Sequence, residues 1–208
     1  MSFPEFFQRV PRLQVRDPLA DFLGAAEDGI LEYGYEDAVK LAGHSCPTVA
    51  SAYALACHAM AMLYPDSLPE RGALRVDFGE PLEHGVTGVV ASVLSLLTGA
   101  AQEGGFKGIG GQFVRRGLQH FDAGVPLTFR LTRADTGAAV EAGADLSLVP
   151  PDAEMPALIG RCIRGEADTD TRRRFGRLWQ QRVESILLEH WDDARVFHVR
   201  PVARPSRT

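Results

Sequence analysis

A histidine and a cysteine two positions apart, His44 and Cys46, are the residues of this chain whose types and spacing best suit chemistry. Imidazole and thiolate are the ligands that zinc and its neighbouring divalent ions prefer in proteins. Pro47 follows, and it predicts the first turn of a helix with Cys46 as the N-cap. Unpaired N–H groups at a helix start favour negative charge, so a thiol there is a good ligand or nucleophile. The alternative is plain packing, because a lone His-x-Cys pattern often occurs by chance.

A second pair, Cys57 and His58, follows in the same predicted helix. At 1.5 Å per residue it lies about 16 Å from the helix start, so it cannot share one metal with Cys46. We interpret Cys57 as a core residue beside a partly exposed histidine. Cys162, the third cysteine, falls on an apolar helical face and is also predicted to be core.

The elements that must position the first pair are predicted from hydrophobic patterns. The segment "ILEYGYEDAVKLAG" favours extended chain, which makes the His44–Cys46 motif a strand-to-helix junction. Residues 48–63 predict a helix of mostly small side chains. The segment "GVTGVVASVLSLLTG" predicts a buried helix that ends at Gly99, and residues 135–137 predict the turn of a β-hairpin.

Together these patterns predict an α+β body followed by a C-terminal helical extension. The double proline at residues 150–151 marks the division. Residues 1–150 are predicted to form an α+β metal-binding domain, and residues 151–208 a helical extension and basic tail that pack on the same domain.

Composition excludes several classes of function. A formal net charge of −5 gives no general reason to bind nucleic acid or a membrane surface. No apolar segment approaches the ~20 residues that span a bilayer, and the N-terminus lacks the pattern of a secretory signal. Three cysteines are an odd number, which argues against a disulfide framework and predicts a reducing compartment, the cytoplasm.

Two motifs, "GHSCP" before a small-residue helix and "LLTGAAQEGGFKG" after a buried helix, resemble the FmdE-like family, which is named for a component of formylmethanofuran dehydrogenase. The resemblance covers residues 39–131. It implies an α+β fold with a mixed sheet flanked by helices, a homodimer, and a metal ion, commonly zinc. By this match His44 and Cys46 are metal ligands.

The chain departs from the family pattern where further ligands are expected. Ala100 stands where the family often has cysteine, and Thr87 and Val89 stand at acidic and cysteine positions. Further ligands must therefore come from elsewhere or be water. His84 is the best candidate, since it precedes the buried helix expected to pack against the Cys46 helix. The alternative is a solvated loop histidine. Glu83 beside His84 is a candidate for a residue that hydrogen-bonds to a metal ligand, or for a general base.

At most three protein ligands leave an open position, which is typical of a catalytic or substrate-binding metal. The glycine-rich stretch "AAQEGGFKGIGGQF" is expected to line that opening, because glycine lets backbone approach a ligand closely. Glu103 and Lys107 lie on it and, with Glu83, are the candidate acid/base residues. The stretch matches no nucleotide-binding motif. Arg115 and Arg116 are interpreted as a solvated charge pair, or as a contact for an anionic substrate.

Two hypotheses of function follow. The first is a metal-dependent enzyme or small-molecule-binding metalloprotein of the FmdE type, with zinc as the expected ion and nickel or iron as alternatives. The second is a non-enzymatic carrier or accessory protein for a metal or for a cofactor such as haem. Cysteine redox chemistry without metal is a weaker third, because Cys46 has no resolving cysteine nearby in sequence.

Overall fold

The computed structural model describes residues 3–203, in which helices pack on one of two sheets. The helices are α1 (Pro18–Phe22), α2 (Tyr35–Ala42), α3 (Pro47–Leu63), α4 (Thr87–Thr98), α5 (Met155–Ile163) and α6 (Thr169–Glu184). The strands are β1 (Leu13–Arg16), β2 (Ile30–Tyr33), β3 (Leu74–Phe78), β4 (Gln119–His120), β5 (Phe129–Arg133), β6 (Ala139–Ala144) and β7 (Phe197–Pro201). This arrangement confirms the α+β fold.

The larger sheet is mixed and has the strand order β4-β3-β5-β6-β7. β4 runs parallel to β3, and every other neighbouring pair is antiparallel. β5 and β6 form the predicted hairpin, with Phe129 opposite Ala142 and Thr132 opposite Ala139. β1 and β2 make a separate antiparallel pair.

Helix α3 lies at the centre of the core, against β6, β7 and α4. Its small side chains let it approach these elements closely, and the alanines Ala50, Ala52, Ala54, Ala56 and Ala59 are fully buried. Pro47 begins the helix and Cys46 is its N-cap, as predicted. Helix α4 ends at Gly99, which adopts a left-handed conformation with φ 72°, also as predicted.

The segment before the motif is the main departure from expectation, because residues 35–42 form helix α2 rather than extended chain. Its local signals are helical. The Asp37 carboxylate accepts the backbone N–H of Gly34 at 2.9 Å, and Tyr35, Ala38 and Val39 bury one face at helical spacing. These signals outweigh the β-favouring tyrosines, whose preference is set by packing.

The C-terminal segment contributes both to the packed helices and to the larger sheet. Helix α6 packs on α5 and α3, and β7 completes the edge of the sheet beside β6. A π-helical turn, Ser185–Glu189, continues α6 and buries Ile186 and Leu187 in the same core as the earlier helices. No helix among the described residues is long and apolar enough to cross a membrane.

A buried ion cluster fixes the glycine-rich stretch to the N-terminal part of the chain. Asp17 accepts hydrogen bonds from Arg71 at 2.7 Å and from Arg115 at 2.6 Å. Burial alone would raise the pKa of Asp17, but the Arg71 hydrogen bond and the Arg115 charge outweigh it, so the pKa is lowered. Arg115 is therefore a structural partner of Asp17 and does not lie on the solvated face that the sequence suggested.

Candidate functional site

The His44–Cys46 pair lies on a short turn between α2 and α3. Helix α2 ends because Gly43 is left-handed, with φ 75°, and its N–H donates to the Val39 carbonyl at 2.9 Å. Cys46 then returns to extended backbone, with φ −147°, before α3 begins at Pro47. The junction joins two helices, and the chain between the two candidate ligands is a single residue, Ser45.

His44 is exposed, and one hydrogen bond orients its ring. Its Nδ1 lies 2.9 Å from the Ala42 carbonyl oxygen, which can only accept, so Nδ1 carries the proton. In the neutral ring Nε2 then holds a free lone pair. Metal-ligating histidines commonly have this arrangement, with one nitrogen bonded to a carbonyl and the other on the metal.

Cys46 is half-buried at the first turn of α3. Its Sγ accepts the backbone N–H of Val49 at 3.5 Å, so the sulfur caps the helix start. The thiol packs against the hydrophobic core on one side, and it forms no disulfide. This environment offers a negatively charged sulfur both a hydrogen-bond donor and the positive end of the helix dipole.

Ser45, between the two candidate ligands, is held by side chains from distant parts of the chain. Its hydroxyl donates to the Gln180 side-chain oxygen at 2.9 Å and lies 2.9 Å from the Tyr35 hydroxyl. Its carbonyl accepts the Trp179 indole N–H at 2.8 Å and the Gln180 amide at 3.3 Å. Burial raises the pKa of Tyr35, which keeps its hydroxyl protonated as the donor to Ser45.

We call Tyr35, Trp179 and Gln180 the Ser45 clamp. The sequence analysis identified none of these three residues as part of the site. Two of them lie on α6, more than 130 positions from Ser45, so no local spacing reveals the contact. The sequence offers one signal, the tryptophan itself, because an indole N–H packed into a fold needs a hydrogen-bond acceptor.

His84, the expected third ligand, lies elsewhere. It is in the loop before α4, where its Nδ1 is 3.0 Å from the Glu80 carboxylate and its side chain is 68% exposed. Among residues 3–203, no three His, Cys, Asp or Glu side chains are grouped closely enough to hold a metal ion. The structure therefore does not bring His44, Cys46 and His84 together as one ligand set.

The candidate acid/base residues Glu83, Glu103 and Lys107 are all exposed on loops. Glu83 precedes α4, and the other two lie on the glycine-rich stretch. That stretch folds back on itself, with the Arg115 N–H donating to the Phe106 carbonyl at 2.8 Å. Its glycines are needed for the close approach: a Cβ on Gly108, where φ is 89°, would meet the Gln112 carbonyl oxygen.

The glycine-rich stretch lines a cavity of about 480 Å³ between itself and α4, but neither His44 nor Cys46 is among the residues that line it. Gln102 and Gly105 form one side, and Ser92 and Ser95 of α4 form another. Leu41, three residues before His44, lies at its edge. The cavity is thus next to the end of α2 that leads into the motif, in the size range of small-molecule sites.

Cys57 and His58 occupy the structural role that helix geometry predicts for them. Packing against the core raises the pKa of the Cys57 thiol to about 12, which keeps it protonated and inert. His58 Nε2 donates to the Trp191 carbonyl at 2.8 Å, and its ring packs against Trp191. Burial lowers the pKa of His58, despite that hydrogen bond.

Two comparisons, with protein families and with curated proteins, bear on the identity of this chain. No protein-family model matches this chain, and no curated protein matches it significantly. The FmdE resemblance of residues 39–131 therefore stays a prediction that depends on the two motifs. What the site can do must be inferred from its own geometry.

Proposed function

We propose that this protein binds a divalent metal ion through Nε2 of His44 and Sγ of Cys46, leaving coordination positions open for a small molecule. The observation that carries the proposal is the 2.9 Å hydrogen bond from His44 Nδ1 to the Ala42 carbonyl. It selects the tautomer in which the exposed Nε2 is the electron-pair donor. A histidine that is only a surface residue needs no such orientation.

Cys46 supports the same proposal from the helix side. The thiolate is the form of cysteine that binds metals, and the start of α3 favours negative charge there. A mixed nitrogen and sulfur ligand pair suits zinc best, with nickel and iron as compatible ions. Since none of the three cysteines is in a disulfide, a reducing compartment such as the cytoplasm suits the exposed site.

Two protein ligands leave about half of a tetrahedral zinc shell to water, to a substrate group or to a second copy of the chain. A homodimer, which the FmdE resemblance implies, is one way to complete the shell. When bound with an open position, such an ion polarises a carbonyl group or lowers the pKa of bound water to about 7. The neighbouring 480 Å³ cavity offers room for a small-molecule substrate, with Glu103 and Lys107 on the adjoining loop.

One observation favours a second candidate, a metal carrier. His44 is exposed, and no third protein ligand accompanies the pair within residues 3–203. An ion held by two protein ligands at a surface exchanges more readily than one enclosed by four, which suits delivery to another protein. A haem carrier would hold its group through His44 or Cys46.

Metal analysis of protein purified without a histidine tag tests the proposal. We expect about one equivalent of metal per chain, lost in His44→Ala and in Cys46→Ala. His84→Ala and Cys162→Ala are matched controls, each removing a ligand type outside the pair, and both should keep the metal. Unchanged metal content in both His44→Ala and Cys46→Ala would contradict the proposal. Loss in His84→Ala would contradict the two-ligand arrangement.

The rate of metal transfer to a chelator separates the two candidates. Slow transfer supports a metal that stays in place during a reaction, and fast transfer supports a carrier. A Soret absorption band on reconstitution with haem, absent in His44→Ala, would instead assign the pair to haem.

A further inference from the structure

A second pocket, of about 510 Å³, lies at the end of the sheet where β3 and β6 end and β5 and β7 begin. It is separate from the His44–Cys46 turn, whose residues do not line it. Its polar walls are formed by Glu80, His84, Thr87, Thr128, Asp145 and His198. Residues 85–87, where α4 begins, form part of the wall.

The start of α4 has some backbone donors that the protein satisfies and others that it does not: the Thr87 N–H donates to the His84 carbonyl at 3.1 Å, and the Val89 N–H donates to the Val86 carbonyl at 3.0 Å. Its N-cap residue, Val86, provides no side-chain hydrogen bond to the helix. The backbone N–H groups of Gly85, Val86 and Gly88 have no partner within residues 3–203. Together with the dipole of this 12-residue helix, these groups favour an oxyanion in the pocket.

The Thr87 side chain offers a further donor beside these N–H groups. It lines the pocket, yet the residue is only 8% exposed. Its hydroxyl makes no hydrogen bond to any described residue. The oxygen is not one of the fully buried side-chain atoms that lack a partner, so it is accessible to solvent at the pocket and can donate to a ligand there. A ligand oxygen at this point would accept from both the hydroxyl and the neighbouring N–H groups.

The opposite rim of the pocket presents acceptors. The Glu80 carboxylate lies 3.0 Å from Nδ1 of His84, and the Asp145 carboxylate accepts two hydrogen bonds from Ser147 through one oxygen only. His198 adds a further titratable group beside Asp145. The free carboxylate oxygens disfavour a ligand that is anionic throughout, and they favour one with donors at this end.

We propose that this pocket binds a small molecule with a carboxylate or phosphate group at one end and hydroxyl or ammonium donors at the other. The oxyanion accepts from Thr87 and the N–H groups that begin α4. The donors meet Glu80 and Asp145. This assignment is independent of the metal proposed at His44 and Cys46.

Matched probes test both ends of the ligand. Acetate and glycine share a carboxylate, and inorganic phosphate and glycerol 3-phosphate share a phosphate, but only glycine and glycerol 3-phosphate carry extra donors. We expect amide chemical shifts of residues 85–88 to respond to the probes, with the donor-bearing member of a pair binding several-fold tighter. The pair that binds more tightly identifies the oxyanion. No response at residues 85–88 to any probe would overturn the proposal.

Two variants test the walls. Thr87→Val keeps the shape but removes the hydroxyl, and it should weaken binding roughly tenfold. Thr128→Glu adds negative charge at an exposed lining position and should abolish binding, whereas Ser92→Ala, further along α4 and outside this pocket, should leave it unchanged. Equal affinity in all three variants would contradict the site. His44→Ala should bind the probes normally, which separates this result from the metal proposal.

Discussion

The starts of α3 and α4 are the two helix N-termini to which the sequence assigned one shared metal site, and the structure treats them in opposite ways. At α3 the Cys46 sulfur caps the helix, and the Ser45 clamp holds the preceding residue through four hydrogen-bond contacts. At α4 the N-cap Val86 provides no side-chain acceptor, and the adjacent Thr87 hydroxyl has no hydrogen-bond partner among the described residues. There the Thr87 and Val89 N–H groups donate to backbone carbonyls, and those of Gly85, Val86 and Gly88 have no partner within residues 3–203. Side chains therefore hold one terminus, and only backbone groups hold the other.

This difference shows that a candidate site can be recognised in two ways. At α3 the signal is in residue type, because histidine and cysteine have chemistry that few other residues share. At α4 the residues are ordinary, and the signal is an absence of partners that only three-dimensional structure reveals. The first kind of site can be inferred from sequence, and the second cannot.

The largest expected effect concerns the clamp at α3. Trp179→Ala removes the indole N–H to Ser45 and its packing against Phe175, and it should lower the free energy of unfolding by about 2 to 3 kcal/mol. Trp179→Phe keeps the aromatic body and should cost only about 1 kcal/mol. Urea denaturation measures both. If Trp179→Phe is as stable as the parent protein, the indole hydrogen bond does not hold the turn.

The second prediction separates the two roles of Cys46. Cys46→Ala removes the cap and should destabilise the protein by about 1 kcal/mol, while Cys46→Ser restores a capping oxygen and should stay near the parent stability. Both variants should lose the metal. Metal retention in Cys46→Ser together with full stability would assign Cys46 to capping alone.

The third prediction gives α4 the cap that it lacks. Val86→Asp places a carboxylate at the exposed start of the helix and should stabilise the protein by about 0.5 to 1 kcal/mol. The new carboxylate should also compete with the oxyanion probes. Val86→Asn, which has nearly the same shape without the charge, is the control. A destabilised Val86→Asp variant would show that the terminus is already satisfied.

Local signals explain what could be predicted from the sequence. Pro47 and Gly99 bound their helices, and the turn at residues 135–137 sets the hairpin, because each fixes a backbone conformation within a few residues. The extended chain expected at residues 35–42 is wrong, because the Asp37 cap and a buried face at helical spacing favour helix α2 there. These signals are local, so they are present in the sequence.

Other features carried no local signal at all. Arg115 and Asp17 form a buried pair 98 positions apart, and Trp179 reaches Ser45 across 134 positions. His84 was expected beside α3 because α4 does pack on α3, but a helix is long enough for its start to lie far from a given contact. When two helices pack together, the contact determines which of their faces touch. It does not determine whether particular ends of the two helices lie close together.

The smallest expected effect concerns the pH dependence of stability at His58, which lies further along α3. His58 is packed and hydrogen-bonded, whereas His44 is exposed. Burial lowers the pKa of His58 below its ordinary value of 6.5, so the folded state holds the neutral ring while the unfolded state takes up a proton first. The stability that His58 contributes is therefore complete above about pH 6.5, and it declines as the pH falls from there through the lowered pKa. Urea denaturation between about pH 7 and pH 5 should show this loss in the parent protein and in His44→Ala, but less of it in His58→Gln. An equal loss in His58→Gln would mean that other groups cause it, and that the two histidines do not differ as their contacts indicate.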